Sequence, residues 1–305
     1  MRARWTLLAI TGTIFMFSSI YLINKGNLKL QHGDAAVSTT EAPKPKELTR
    51  AERLQDLYPD PNNDSLVLPS KDFMDRMMRQ DVMTLYHRYI NSLQYFCRRV
   101  LHLGKLDDGG WDICDDKEFR PSDSCLVYSY GINFDFSFDD AIVKQYGCEV
   151  HAYDPSMNMM DHTHGNKVFF HNIGLTSDNR TMTVKGIPWR MGTFGAHRTH
   201  NGHVQRPIDI LKVDIEDWEW VALPEMLYSG MLRDVQQFVV ELHLTRVKAE
   251  PSITQYLKCL KILKDIYDEG FRIFWTHRNL WCKFYSSFGR EERCGCHEVS
   301  FVRVK

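Results

Sequence analysis

The sequence has no excess of charge of either sign. Its 305 residues include 38 lysines and arginines against 39 aspartates and glutamates, which gives a formal net charge of -1. Because a protein that neutralises phosphates needs a clear basic excess, this balance argues against nucleic acid as a partner. The chain also contains no internal repeat, and its 43% of hydrophobic residues is ordinary for a globular protein with a sizeable core.

The sequence also lacks the paired CxxC motifs of a structural zinc site. Cys294-Gly295-Cys296 is the nearest approach, and no second pair matches it. The cysteines number eight, an even count that disulfide pairing requires. We therefore predict disulfides, with free buried thiols as the alternative, and the sequence does not determine which cysteines pair.

Charged residues are missing from one long stretch near the N-terminus, residues 5–23. Arg2 and Arg4 precede it and Lys25 follows it. As a helix this stretch is about 28 Å long, close to the thickness of a bilayer core. With arginines ahead of the span, we expect an uncleaved signal anchor and a single-pass type II membrane protein of the secretory pathway, the Golgi being favoured, with its main domain in the lumen. A cleaved signal peptide, and hence a secreted protein, is the alternative.

Composition divides the chain into four segments. We predict a cytosolic tip and transmembrane helix over 1–24, a proline-containing stem over 25–69, an N-terminal helical extension over 70–110 and the main domain over 111–305. In the extension, helical periodicity continues as far as Val100. Glycosylation sequons at Asn63 and Asn179 agree with a luminal address.

From Cys125 onward, short apolar runs alternate with helical stretches. This alternation predicts an α/β fold whose parallel sheet is covered by helices on both faces. The last two strands leave no room for a crossover helix, so we expect them to form an antiparallel pair at the edge of the sheet. The predicted strands are 125–130, 149–153, 168–173, 209–213, 237–242, 271–276 and 298–304.

The residues that follow the first two strands suit a nucleoside ligand, which in such sheets binds beyond the carboxyl ends of the strands. Gly131 follows the first strand, and its missing side chain allows a ligand to approach the backbone. Asp154 follows the second strand, where its carboxylate can bind two ribose hydroxyls. The alternative is that Asp154 and Pro155 only begin a turn.

Four short motifs carry a resemblance to a known family. The segment DILKVDIEDWEW at 209–220 resembles the fourth-strand signature of FkbM-related methyltransferases. Together with YSYG at 128–131, DPS at 154–156 and VELH at 240–243, it makes the chain similar to the methyltransferase-like protein 24 family of animal secretory-pathway proteins. The resemblance covers residue 111 to the C-terminus. It implies a class I methyltransferase that uses S-adenosylmethionine, with a Rossmann-like, mostly parallel sheet of seven strands and one antiparallel edge strand.

The same resemblance implies roles for individual residues. Gly131 meets the methionine end of S-adenosylmethionine, Asp154 its ribose, and Asp214 lies near the transferred methyl group. Further cofactor-binding candidates are Tyr130, Pro155 and Gly174. The chain departs from the family in one respect, because the usual glycine-rich loop is replaced by GINFDFSF at 131–138. The acceptor can be a small molecule, a glycan or a protein.

Acidic and histidine side chains cluster at the ends of the fourth and fifth strands. The cluster consists of Asp214, Glu216, Glu241 and His243, of which Asp214, Glu241 and His243 are the catalytic candidates. Three interpretations remain open. The side chains can act as base and substrate clamp without a metal, hold a divalent cation, or form a hydrogen-bonded buttress at the sheet edge. We assign none of them as a metal ligand.

A histidine run, His197-x-x-His200-x-x-His203, lies between the third and fourth strands. Its spacing would bring metal ligands together on a helix, but the glycines around it favour a mobile loop. We expect a lid over the substrate, helped by Trp189.

Three functions fit these features. Methyl transfer is favoured. A luminal glycosyltransferase shares the anchor, stem and α/β plan, but would need an Asp-x-Asp motif that residues 214–216 only approximate. A non-catalytic binding protein on a methyltransferase fold is suggested by the altered glycine loop.

Overall fold

The computed structural model of the chain describes residues 66–106, 109–286 and 288–304. The expected signal anchor, most of the stem and the sequon at Asn63 lie outside these residues. Within the described ranges, no helix has the length and apolar character needed to cross a membrane.

The helices and strands have the following bounds. In chain order the helices are α1 (Lys71–Met74), α2 (Arg79–Ile90), α3 (Ser137–Tyr146), α4 (Phe194–His200), α5 (Glu219–Tyr228) and α6 (Ile253–Asp268). The strands are β1 (Val100–Leu103), β2 (Trp111–Cys114), β3 (Leu126–Tyr130), β4 (Glu149–Tyr153), β5 (His162–His164), β6 (Val168–His171), β7 (Gly174–Leu175), β8 (Arg180–Val184), β9 (Ile187–Gly192), β10 (Ile208–Val213), β11 (Val235–His243), β12 (Phe271–Arg278), β13 (Lys283–Ser286), β14 (Glu291–Cys294) and β15 (Cys296–Arg303).

The central sheet has eight strands in the order β12-β15-β11-β10-β3-β4-β6-β5. It contains all seven strands expected from the sequence. Strands β6, β4, β3, β10 and β11 run parallel, and β15 is antiparallel to both of its neighbours, β11 and β12. The mixed α/β fold with a mostly parallel sheet is therefore confirmed.

The last two predicted strands, β12 and β15, do form the expected antiparallel pair at one edge, but two other details of the predicted sheet are wrong. The sheet has an eighth strand, β5, which pairs antiparallel with β6 at one edge. This strand reads His-Thr-His and has no apolar alternation that could reveal it. The antiparallel strand β15 is also not the edge strand, since it lies between β11 and β12. Six of the eight residues of β15 are buried, whereas β12, which takes the edge position, is largely exposed over its last four residues.

Both faces of the sheet are covered, as the alternation predicts. On one face, Phe138 and Ile142 of α3 pack with Val127 and Val150, and strands β1 and β2 extend the same apolar cluster. Side chains from α2, α5 and α6 pack against the opposite face. The two apolar layers hold the sheet rigid, so the residues at its carboxyl edge are well positioned.

The N-terminal extension is helical only in part. Helix α2 ends at Ile90, and Val100 begins β1, which pairs antiparallel with β2. The prediction that this helix continues to Val100 is therefore wrong. The main-chain N–H groups of Gln94 and Tyr95 donate instead to the carbonyl of Ile273 on β12, at 2.7 and 3.0 Å. This contact with a distant strand overrides the local helical periodicity.

Six of the eight cysteines form disulfides, which confirms the main prediction for them. The pairs are Cys97–Cys114, Cys125–Cys148 and Cys282–Cys296. Cys259 and Cys294 are free, buried thiols. Both alternatives that the sequence left open therefore occur in one chain.

Candidate active site

A cleft of about 1000 Å³ opens at the carboxyl ends of β3, β4, β10 and β11. The structure brings all of the candidate site residues to its walls: Tyr130, Gly131, Asp154, Pro155, Gly174, Asp214, Glu241 and His243. These residues come from the ends of strands that are distant in sequence. The parallel sheet brings these carboxyl ends together on one side of the domain.

Gly131 lies where the ends of β3 and β10 meet. Its φ is 80°, in the left-handed region that favours glycine. A Cβ added to it would overlap the main-chain carbonyl oxygen of Asp214. The Asp214 N–H donates to the carbonyl of Tyr130 at 3.1 Å, so the two strand ends are held in close contact. The neighbouring strand therefore requires a glycine here, independently of any ligand.

The loop that replaces the family's glycine-rich turn has an unusual backbone. Asn133 and Phe134 have φ values of 45° and 64°, although neither is a glycine. Each such residue costs roughly 1–2 kcal/mol relative to an ordinary conformation. The Asp154 carboxylate compensates by accepting from the N–H groups of Ile132 and Asn133, at 3.0 and 2.8 Å.

Asp154 also begins a turn, as the alternative interpretation proposed. Its second carboxylate oxygen accepts from the N–H and the hydroxyl of Ser156, at 2.7 and 2.6 Å. A carboxylate has about four acceptor positions, and here protein donors fill all of them. The contact of Asp154 with a ribose stays a prediction, because a nucleoside would have to replace or share these bonds.

A charged cluster forms the other wall of the cleft. His243 Nε2 lies 3.4 Å from Glu241 Oε2, and His243 Nδ1 lies 3.2 Å from Glu219 Oε1. Glu219, in the first turn of α5, is fully buried and also accepts from the N–H of Ile215 at 2.8 Å. Asn279 completes the cluster by donating to Glu241 Oε1 at 2.9 Å.

The electrostatics of this cluster separate the roles of its members. Burial alone would lower the pKa of His243, but the hydrogen bond that its Nδ1–H donates to Glu219 and the charges of Glu219, Glu241 and Asp214 raise this pKa to about 9. Burial raises the pKa of Asp214 to about 7, with Lys212 opposing the shift and Glu241 adding to it. At neutral pH His243 is therefore a cation that cannot accept a proton, whereas Asp214 can.

Glu216 is separate from the buried part of the cluster. It is exposed and pairs with Arg246, and its Oε2 lies 3.8 Å from His243 Nε2. A metal remains an alternative in the buried part, because ligand atoms of Asp214, Glu219 and His243 lie within 4.8 Å of one another. The protonated imidazole, with a carboxylate at each nitrogen, opposes it.

Comparison with known proteins identifies the family. The family model described as a methyltransferase domain matches residues 46–289. Two relatives carry the name "Probable methyltransferase-like protein 24". The one from Rattus norvegicus is 26% identical over 209 residues, and the one from Homo sapiens is 24% identical over 210 residues. Each alignment covers 63% of this chain and 56% of the relative, so the chain spans little more than half the length of these proteins.

The chain belongs to the methyltransferase domain family. The resemblance noted in the sequence is thereby confirmed at the level of the family. The matched region includes every candidate residue of the cleft.

This methyltransferase domain has site residues that the sequence alone did not single out. Lys212 is buried and donates to the Gly131 carbonyl, and Glu219 orients His243. Asp139 on α3 is buried, and burial raises its pKa to about 6. Lys212 follows two apolar residues and precedes a third within a strand, and this position was a usable signal for it. Glu219 and Asp139 had weaker signals, since acidic residues are common in the first turn of any helix.

The histidine run of the methyltransferase domain forms no lid loop. Residues 194–200 are helix α4, and Phe194 is fully buried against the core. His197 Nδ1 lies 3.0 Å from the Tyr130 hydroxyl, and His203 lies beyond the helix. Trp189 does line the cleft, but from strand β9. The expectation of a mobile loop is therefore wrong.

Proposed function

We propose that the chain transfers a methyl group from S-adenosylmethionine to an oxygen or nitrogen atom of an acceptor. The observation that carries this proposal is the cleft itself. One wall of the cleft is formed by Gly131 and Asp154 at the ends of β3 and β4. The other wall is formed by the charged cluster around Asp214. A cofactor on the first wall would face an acceptor on the second.

The cleft fits S-adenosylmethionine in size and in chemistry. Its volume of about 1000 Å³ lies at the upper end of ligand pockets, enough for a nucleoside cofactor and an acceptor. Lys212 and Asp139 offer one charge of each sign to the zwitterionic methionine end. Trp189 also lines the cleft, and its buried indole N–H has no hydrogen-bond partner among the described residues. The bound cofactor would supply an electrophilic methyl group.

The remaining steps belong to side chains of the charged cluster. Asp214 removes the proton from the acceptor atom, which needs a base with a pKa near the working pH. His243 stays protonated and balances the negative charge of the carboxylates around it. Glu219 fixes the orientation of its ring, and Asn279 fixes Glu241.

We further propose a luminal site of action in the secretory pathway, with the chain held by its N-terminal signal anchor. The three disulfides support a luminal location, because disulfides persist in oxidising compartments. The acceptor is accordingly a luminal small molecule, glycan or protein.

Calorimetry on the purified protein tests the proposal. We expect S-adenosylmethionine and S-adenosylhomocysteine to bind and sugar nucleotides not to bind. Binding of a sugar nucleotide alone would favour the glycosyltransferase alternative. Binding of S-adenosylmethionine without methylation of any component of a luminal extract would favour a binding protein.

A further inference from the structure

A second cluster of ligating side chains lies at the end of β4 opposite the cleft. Glu149 and His151 are two residues apart on this strand, so their side chains lie on the same face of the sheet. His203, from the connection between α4 and β10, meets them there. We call these three residues the Glu149 cluster.

The three side chains converge on one point. His151 Nε2 and His203 Nε2 lie 3.0 and 3.3 Å from the same oxygen, Glu149 Oε1. All three ligand atoms lie within 4.8 Å of one another. Ligands about 2.0–2.1 Å from a tetrahedral zinc ion are separated from each other by about 3.3 Å. The observed spacing is therefore close to that of a metal's coordination shell.

The outer nitrogens of both imidazoles also have hydrogen-bond partners. His151 Nδ1 lies 2.9 Å from His171 Nε2, and His203 Nδ1 lies 3.0 Å from the Tyr128 hydroxyl. With an ion bound, protons on the two Nδ1 atoms would satisfy both contacts, and the Nε2 atoms that face Glu149 Oε1 would each present a lone pair to the ion.

Two arginines hold the cluster in position. Arg206 donates to Glu149 Oε2 at 2.9 Å, and thus orients the carboxylate while Oε1 faces the histidines. The buried Arg198 donates to the main-chain carbonyls of His203, Val204 and Arg206, at distances between 2.9 and 3.3 Å. The segment that carries His203 is therefore fixed before any ion binds.

Solvent reaches the cluster from one side. The Glu149 side chain is 33% exposed and that of His203 is 11% exposed. An ion can enter from this side, and water can occupy a fourth coordination position.

We propose that Glu149, His151 and His203 form a binding site for a divalent transition-metal ion, with zinc as the preferred ion. Two imidazoles and one carboxylate suit zinc, whereas magnesium and calcium prefer oxygen ligands only. The ion would link the amino end of β4 to the connection before β10. Its role is structural, because the cluster lies at the opposite end of the sheet from the cleft.

The test is zinc titration of the full-length chain after removal of metals with EDTA. We expect calorimetry to show zinc binding and the melting temperature to rise with zinc concentration. The variant His203→Gln should bind zinc at least about a hundredfold more weakly. Tyr128→Phe, which keeps every ligand but removes one outer hydrogen bond, should bind about tenfold more weakly.

Two control variants make the result specific. His200→Gln changes an exposed histidine three residues from His203 and should bind zinc as the wild type does. Glu219→Gln alters another group of possible ligands, in the cleft, and should also leave zinc binding unchanged. The proposal is overturned if the wild type does not bind zinc. It is equally overturned if His203→Gln and Tyr128→Phe bind zinc normally, or if Glu219→Gln is the variant that loses it.

Discussion

Asp214 and His243 share one charged cluster, and their raised pKa values have opposite consequences. The shift to about 7 makes Asp214 a base that is half ionised near neutral pH. The shift to about 9 keeps His243 protonated. A histidine beside carboxylates is often regarded as the general base, but here the charges around it favour Asp214.

We expect Asp214→Asn to reduce turnover about a hundredfold, the scale of one lost acid–base group. Affinity for S-adenosylhomocysteine should stay within a few-fold, because the cofactor wall is intact. In the wild type, turnover should rise with pH through about 7 as Asp214 ionises. The matched control is Asp217→Asn, an exposed carboxylate that pairs with Arg246. Unchanged turnover in Asp214→Asn would exclude Asp214 as the base and favour the buttress interpretation.

Ionisation of the Asp214 carboxylate should lower the stability of the fold at high pH. A pKa raised from 3.8 to about 7 means that, between these values, the folded state binds more protons than the unfolded state. Stability from this group therefore falls as the pH rises through that range. Urea unfolding should show Asp214→Asn gaining stability relative to the wild type between pH 4 and pH 8. A constant difference across this range would contradict the raised pKa.

At the scale of elements, the site depends on how closely β3 and β10 approach at their carboxyl ends. Gly131 and Asp214 follow these two strands, and the main chains touch where a side chain on Gly131 would be. The wall of the cleft that contains Gly131 and Asp154 is thus joined to the wall around Asp214 at this backbone contact.

We expect Gly131→Ala to destabilise the fold by more than its positive φ alone explains, because the strand ends must separate. Gly186→Ala is the matched control, since Gly186 has a φ of 83° and no atom of the described residues lies within 4 Å of an added Cβ. The control should lose only about 1–2 kcal/mol of unfolding free energy. Equal losses in the two variants, measured by urea unfolding, would show that the contact with Asp214 is unimportant.

At the scale of the whole molecule, disulfides tie together segments that the sheet alone would hold less firmly. Cys125–Cys148 joins the residues that precede β3 and β4, and closes a loop of 23 residues. Cys97–Cys114 connects the chain before β1 to the end of β2. Each bridge restricts the unfolded chain and so stabilises the fold.

Replacing both members of the first bridge, as Cys125→Ser with Cys148→Ser, should lower the unfolding free energy by about 3 kcal/mol. Cys259→Ala serves as the control, because this buried cysteine is free. It should keep the full sensitivity of the wild type to a reducing agent, whereas the double variant should lose part of that sensitivity. If reduction affects the wild type and the double variant equally, the bridge contributes no stability.

The sequence by itself determined the seven main strands and the residues that follow them. Apolar runs that alternate with helices encode a parallel sheet. Such a sheet brings Gly131, Asp154, Asp214 and Glu241 together at the carboxyl ends of its strands, whatever the details of packing. These features depend on local periodicity and on a general rule of topology, so they can be predicted without coordinates.

Only the tertiary structure decided which partners these residues meet. Glu219 makes His243 a cation, the amides of Ile132 and Asn133 occupy Asp154, and the carbonyl of Asp214 excludes a side chain at Gly131. His203 does not lie in one loop with the other histidines of its sequence motif. It lies beside Glu149 and His151, which are more than fifty positions earlier in the chain. Each of these contacts depends on register and burial between segments distant in sequence, and local residue patterns carry no information about either.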